Sequence, residues 1–419
     1  MRIQKIHARQ ILDSRSNPTI EVDVITNSSI RSAQVPSGAS TGIHEALELR
    51  DNQKAYHGKS VNKAINHINK TLNDELIGQL VDEQREIDEL LLKLDGTKNK
   101  KKLGSNAILG VSMAVTRAAS QSHKLHLFEY LSALYDNKSY TLPIPFANII
   151  NGGVHAGNDL NIQEFMIAPT KAKSFANATQ IIAETYQELK KILEKKYGKQ
   201  STAIGDEGGF APPIKTAHEA MLLIETAALK AGHLNKIGIA IDAAASEFYK
   251  NGKYEVEKGK KLTSQQLLKY YEDLTKKHKI ISIEDPFDQD DFESFAKLTK
   301  KIGKKVQIVG DDLTVTNIQR IKKAAKQKSC TALLLKINQI GSITEALEAA
   351  YEAHKNDWKI MVSHRSGETE DSYIADLAVA LNAGQIKLGA PARGERTAKY
   401  NQLLRIEDFL RYRAKFSKF

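Results

Sequence analysis

Ile281-Ser282-Ile283-Glu284 and Val306-Gln307-Ile308-Val309-Gly310-Asp311 are two short apolar runs, each closed by a carboxylate, with an amphipathic helical pattern over 291–302 between them. Buried strand, helix, buried strand is the unit of a parallel sheet. The unit recurs in both directions. Upstream, Ile237-Gly238-Ile239-Ala240-Ile241 ends at Asp242. Downstream, Leu333-Leu334-Leu335 ends at Lys336, Ile360-Met361-Val362-Ser363 ends at His364 and Arg365, and Gln385-Ile386 ends at Lys387. From Glu284 onward these polar ends stand 27, 25, 28 and 23 residues apart. Helical patterns over 264–277, 317–326, 343–354 and 371–382 fill the gaps. A closed barrel places catalysis at the carboxyl ends of its strands, whereas an open doubly wound sheet gathers ligand groups at one switch point. Six successive strand ends that carry functional groups favour the barrel. The Asn-Gly pair in Tyr249-Lys250-Asn251-Gly252-Lys253-Tyr254 predicts a hairpin inserted after Asp242.

The first third reads differently. Strand character over 2–12 and 19–26 surrounds the turn Asp13-Ser14-Arg15-Ser16-Asn17-Pro18. Helical patterns follow at 60–76, 82–94 and 105–122, and Thr141-Leu142-Pro143-Ile144-Pro145 breaks helix. An N-terminal α+β unit over 1–135 and a catalytic β/α unit over 136–419 are expected. The 419 residues exceed the usual size of one core. No apolar run approaches the ~20 residues of a membrane helix, and the first residues lack a secretory apolar stretch. The single cysteine, Cys330, allows no intrachain disulfide, which suits a reducing cytoplasm. Net charge is +11. The densest basic run, Lys98-Asn99-Lys100-Lys101-Lys102, has no interleaved aromatic residue for base stacking. It reads as a solvated loop rather than a nucleic-acid surface.

If the barrel closes, Asp242, Glu284 and Asp311 meet at its mouth. Unrelieved, such carboxylates repel and at least one stays protonated. A hard divalent cation with oxygen ligands, Mg²⁺, resolves this. Lys336 and Lys387 complete the ring. Beside a metal and a second ammonium, a lysine is expected to have a depressed pKa and to act as a base; anion binding or pairing with a carboxylate is the alternative. Ser363-His364-Arg365-Ser366 suits a phosphate. The Gly-rich loops Asn151–Gly157 and Gly205-Asp206-Glu207-Gly208-Gly209 place acids and amides near close-approaching backbone. Metal, base, acid and anion pocket together suit removal of a proton next to a carboxylate, with cations stabilising the dianionic enolate.

The motifs Ser37-Gly38-Ala39-Ser40-Thr41-Gly42, Leu103-Gly104-Ser105-Asn106-Ala107-Ile108-Leu109-Gly110, Gln163-Glu164-Phe165-Met166, Gly205–Gly209, Ile283-Glu284-Asp285-Pro286-Phe287, Asp311-Asp312-Leu313-Thr314, Leu334-Leu335-Lys336-Ile337-Asn338-Gln339 and Ser363-His364-Arg365-Ser366-Gly367-Glu368-Thr369 run in one order along the chain. The set resembles the enolase family. The resemblance implies an eight-stranded barrel with irregular first units beneath an α+β cap, and reversible dehydration of 2-phosphoglycerate to phosphoenolpyruvate in glycolysis and gluconeogenesis. It implies that Lys336 takes the C2 proton and that Glu207, supported by Glu164, protonates the leaving hydroxyl. It implies two Mg²⁺ ions, one on Asp242, Glu284 and Asp311 and a second helped by Ser40. Arg365 and Ser366 would take the phosphate and Lys387 the carboxylate, while His155, Gln163 and His364 line the pocket. It further implies a homodimer in which Glu21 meets Arg405. Two positions depart from the family pattern: Ser16 stands where glycine is usual, and Leu388 where a small polar residue is usual. A related lyase or racemase would lack the Ser363–Ser366 anion pattern, and a non-catalytic relative would have lost a base, an acid or a metal ligand.

Overall fold

The computed structural model of the chain describes residues 1–39, 41–153 and 158–419. β1 (Ile3–Leu12), β2 (Pro18–Thr26) and β3 (Ile30–Gln34) form an antiparallel meander. The β1–β2 turn is held by the Asp13 carboxylate, whose Oδ1 accepts the N–H groups of Arg15 (2.8 Å) and Asn17 (2.9 Å). Ser16 has φ 60° there, a left-handed conformation that costs a non-glycine residue about 1 kcal/mol.

The helix expected over 60–76 is interrupted. Asn62–His67 and Asn73–Leu76 are α-helical, and Ile68–Leu72 between them is a π turn. The reason lies in the exposed edge of β1. Asn69 accepts from the Ala8 amide (2.6 Å) and donates to its carbonyl (3.0 Å), and Asn73 accepts from the Ile6 amide (2.8 Å). The altered winding is thus accompanied by amide side chains that pair the sheet edge. α1 (Gln84–Asp95), α2 (Ser105–Ser122) and α3 (Leu127–Leu134) complete the cap. α2 lies across β2 and β3 and is buried along nearly its whole length.

Eight strands close the barrel: β4 (Ile144–Asn151), β5 (Glu164–Ala168), β6 (Gly238–Asp242), β7 (Ile280–Glu284), β8 (Gln307–Gly310), β9 (Ala332–Leu335), β10 (Lys359–Ser363) and β11 (Gly384–Lys387). They pair in chain order, and β11 returns to β4. All neighbours are parallel except around β5, which runs antiparallel to both β4 and β6. Helices α4 (Phe175–Tyr197), α5 (Ala217–Lys230), α6 (Ser264–Lys277), α7 (Phe292–Ile302), α8 (Ile318–Gln327), α9 (Ile343–Lys355), α10 (Tyr373–Ala380) and α11 (Gly394–Leu410) accompany the strands. Thr263, Asp291, Asn317 and Ser342 cap four of them through side-chain oxygens, as their residue types favour. The hairpin after Asp242 is present, with Tyr249–Lys250 paired to Lys253–Glu257. Ile144, Phe146, Met166, Ala240, Val309, Leu334 and Met361 fill the barrel interior.

The cap is fastened to the barrel by polar contacts buried in the seam. Asp88 accepts from the Thr344 amide (2.9 Å) and hydroxyl (2.6 Å), and Ser112 from the Ile343 amide (3.0 Å). Arg117 pairs with Asp371 at 2.6 Å. Ser37 and Gly367 exchange two backbone hydrogen bonds, at 2.7 and 2.8 Å. The 98–102 loop is less solvated than its composition suggests: Lys100 is buried and pairs with Glu345 at 3.0 Å. Cys330 is buried, and burial pushes its thiol pKa up. No helix of the described residues is long and apolar enough to cross a membrane.

Candidate active site

The strand ends converge at one mouth of the barrel. Asp242 and Glu284 are partners in the β6–β7 register, and Asp311 follows the last residue of β8. Glu164 reaches the same end from the opposite direction. Because β5 is reversed, its first residue pairs with Asp242, the last of β6. Glu207 enters from the Gly-rich loop, where Asn148 donates to its Oε2 at 3.0 Å. The pocket is lined by Gln163, Glu164, Glu207, Asp242, Lys336, Ser363, His364, Arg365, Ser366 and Lys387. Wider hollows on the outer surface, such as the one beside Lys297 and Lys301, are lined by exposed lysines paired with Glu293 and Glu272, and they do not gather buried charge.

The two lysines divide the carboxylates between them. Lys387 Nζ lies 2.9 Å from Asp242, 2.9 Å from Glu284 and 3.1 Å from Glu164. Burial opposes its charge, but Asp242, Glu164 and Glu284 raise its pKa well above the ordinary value. Lys336 pairs with Asp311 Oδ2, and Gln339 donates to Oδ1 at 2.9 Å. Here too burial is the largest influence and opposes the charge, yet with Asp311 and Glu284 pulling the other way the Lys336 pKa is raised. The depressed pKa expected from sequence belongs to a lysine beside a bound cation; with the carboxylates alone as neighbours, both lysines shift upward. The carboxylates beside each ammonium decide the sign.

The acids show the complementary pattern. Burial pushes Glu284 well up, helped by Asp242, and pushes Glu164 well up, helped by Glu207, to which Glu164 is hydrogen-bonded. Asp311 is held below its ordinary value despite burial, because Lys336 faces it. Asp312 is pushed up to about 8 by burial and by Asp311. Asp285, not singled out from sequence, accepts the amides of Asp311 (2.9 Å) and Asp312 (2.7 Å). Single oxygens of Asp285, Asp311 and Asp312 lie within 4.8 Å of one another. Asp242, Glu284 and Asp311 stand at the ends of three adjacent strands, with Lys387 bridging the first two.

The donor set fits a hard cation. It is all oxygen, and Glu284 Oε2 is buried with no hydrogen-bond partner, an acceptor of the kind a metal ion satisfies. Ser40 and His155 lie outside the described residues.

The anion side is also organised. Arg365 is buried and ion-paired with Glu45 of the cap loop at 3.0 Å, and Asn338 accepts from it at 2.9 Å. A Cβ on Gly38 would run into this guanidinium, which would have to shift away from its present place. Ser366 Oγ accepts the Ala39 amide at 2.7 Å. His364 Nε2 stands 3.6 Å from Glu207. Burial drives the His364 pKa well below its ordinary value, against the pull of Glu207.

Compared with known families, residues 3–131 match "Enolase, N-terminal domain" and residues 139–418 match "Enolase, C-terminal TIM barrel domain". The chain belongs to the enolase family. A curated relative named "Enolase", from Methanocaldococcus jannaschii, is 55% identical over 409 residues, covering 97% of this chain and 95% of the relative. Membership carries the enzyme class with it: the chain is a hydro-lyase of the enolase type.

Sequence reading overlooked several residues of this site. Glu45, Asn148 and Arg396, whose guanidinium donates to His364 Nδ1 at 2.6 Å, stand at no strand end, and only the fold brings them in. Asp285 and Gln339 lie inside quoted motifs, next to or near residues that drew attention for other reasons.

Proposed function

We propose that the chain catalyses the reversible, Mg²⁺-dependent dehydration of 2-phosphoglycerate to phosphoenolpyruvate, the glycolytic and gluconeogenic reaction. The observation that carries this reading is the gathering, in one pocket, of the Lys336 ammonium and the hydrogen-bonded Glu164–Glu207 pair. Elimination needs a base on one face of the substrate and an acid on the other. Lys336, once its proton has left, takes the C2 proton. Glu164, whose pKa burial and Glu207 push well up against the pull of Lys387, supports Glu207 in delivering a proton to the departing C3 hydroxyl. Lys387 faces the substrate carboxylate. Arg365 and Ser366 hold the phosphate, for which Glu45 must release the guanidinium. Gln163, His364 and His155 line the remaining wall.

Asp242, Glu284 and Asp311 would hold one Mg²⁺, and Ser40 would help to hold a second. When bound, these ions supply positive charge against the dianionic enolate. The donor chemistry and the unpartnered Glu284 oxygen support that reading.

The same reading includes a division of the chain at 135/136, a cytoplasmic location and a homodimer. Glu21 accepts from Gln34 at 2.9 Å and also pairs with Arg9, while Arg405 is exposed on α11. In the dimer, Arg405 of one protomer meets Glu21 of its partner. The deciding experiment follows ultraviolet absorbance of the enol product from 2-phosphoglycerate, with and without Mg²⁺. A Mg²⁺-dependent rise is expected. A flat trace from folded, metal-supplied protein would overturn the assignment.

A further inference from the structure

α11 begins beside the site, and its first turn carries Arg396, a guanidinium with no exposed surface. Nothing in the barrel rhythm draws attention to it. Its NH1 donates to His364 Nδ1 at 2.6 Å and to the Arg365 carbonyl at 2.5 Å. Its NH2 donates to the Ser366 carbonyl at 2.6 Å and to the Asp206 carbonyl at 3.0 Å. One side chain therefore ties the loop that carries Glu207 to the loop that carries His364, Arg365 and Ser366. One turn further along, Lys399 is also buried. It donates to Glu368 (2.8 Å) and to the Thr369 carbonyl (2.6 Å), bracing the far end of the same loop.

The bond to His364 has a chemical consequence. A guanidinium has no lone pair to offer and does not lose its proton in proteins. Its partner nitrogen, Nδ1, must accept. The imidazole proton is then confined to Nε2, the nitrogen that faces Glu207 Oε1 at 3.6 Å. The opposite tautomer would set two N–H groups against each other at 2.6 Å and would turn the Nε2 lone pair toward Glu207. An acid delivering a proton to a leaving hydroxyl would then face a competing base. We propose that Arg396 is a positioning residue for the dehydration, holding His364 as the neutral Nε2–H tautomer so that it presents an N–H rather than a lone pair to Glu207 and cannot take its proton. The proposal rests on Glu207 acting as the proton donor.

The charges around the ring are those of Arg396, Lys387 and Lys399, which oppose an imidazolium, and of Glu207, which favours it. Three cations and burial against one carboxylate keep the ring neutral.

The test reads the tautomer directly. In protein labelled with ¹⁵N-histidine, the His364 resonances are those lost in His364→Gln. Wild type is expected to show a neutral Nε2–H ring throughout about pH 5 to 8. Arg396→Met is expected to show a mixed or protonated ring. Its kcat should fall about 100-fold with KM changed less than about threefold, and Arg396→Lys should restore part of the tautomer preference and of kcat. A wild-type ring that carries its proton on Nδ1, or that titrates in this range, overturns the proposal whether or not Arg396→Met folds. So does a folded Arg396→Met that keeps the Nε2–H ring and wild-type kcat. The spectrum needs no turnover, so protein inactive on 2-phosphoglycerate would refute the proposed reaction and leave the tautomer result standing.

Discussion

Buried charge is treated in opposite ways at the barrel mouth and at the seam beneath the cap. At the seam each acid has local donors enough. Asp88 accepts from Thr344 twice and from Gln84 at 3.1 Å, and Asp376 accepts from Gln402 at 3.0 Å. At the mouth, one ammonium serves three carboxylates and a Glu284 oxygen is left without a donor. Saturated acids fasten two units together, whereas undersupplied ones keep capacity for a ligand. The contrast identifies which buried acids to disturb for chemistry and which for stability.

The largest effect should come from dividing the mouth's own labour. Lys336→Ala is expected to lower kcat about 10⁴-fold and to abolish exchange of the C2 proton with solvent. Glu207→Gln should retain that exchange and fail in elimination. Proton exchange followed by NMR separates the two, and C2 exchange persisting in Lys336→Ala would break the assignment of the base.

Next comes the shared ammonium. Lys387→Met leaves Asp242, Glu284 and Glu164 facing one another and should cost about 3–5 kcal/mol in chelator, read by urea unfolding. Added Mg²⁺ should recover part of that loss. A variant as stable as wild type in chelator would mean that these carboxylates were not relying on Lys387.

The smallest effect belongs to the seam. Burial pushes Asp376 up to about 7, against Arg117 and the Gln402 hydrogen bond, from an ordinary 3.8. The folded chain thus keeps a proton that the unfolded chain has released. Asp376 contributes most stability below the unfolded value, and this is lost as pH rises from about 4 through about 7. Asp376→Asn should flatten that part of the pH dependence and raise Tm near pH 8 by about 2 °C, with kcat within about twofold of wild type. A change in kcat as large as that of Lys336→Ala would erase the distinction between the two regions.

Much of this was legible because a parallel barrel repeats. Strand, polar end and helix recur at a near-constant interval, so Asp242, Glu284, Asp311, Lys336, His364 and Lys387 could be read from rhythm alone. Glu164 could not, because in a reversed strand the residue at the mouth comes first rather than last. The two opening strands and the role of Glu207 came from resemblance to a family, not from periodicity. The pairing of Lys387 with three carboxylates and of Lys336 with Asp311 was not legible, because spacing along the chain does not say which charges lie within a few ångströms. Arg396 was invisible for a related reason: a helical arginine reads as surface until the fold shows what its helix leans against. The π turn at Ile68–Leu72 was hidden because the pattern there is helical whichever winding it takes.

The paired backbone bonds between Ser37 and Gly367 have a consequence for genetics. They belong to the peptide groups, so no side-chain replacement deletes them, and alanine at Ser37 would report instead the loss of the hydroxyl's bonds to Glu48 (2.9 Å) and Arg50 (3.0 Å). At Gly367 alanine would register heavily for a different reason, because an added Cβ would lie 2.6 Å from the Ser37 carbonyl oxygen. Neither substitution would thus measure the backbone pair itself, and a mutational map of the cap's attachment would be lopsided where the attachment is reciprocal.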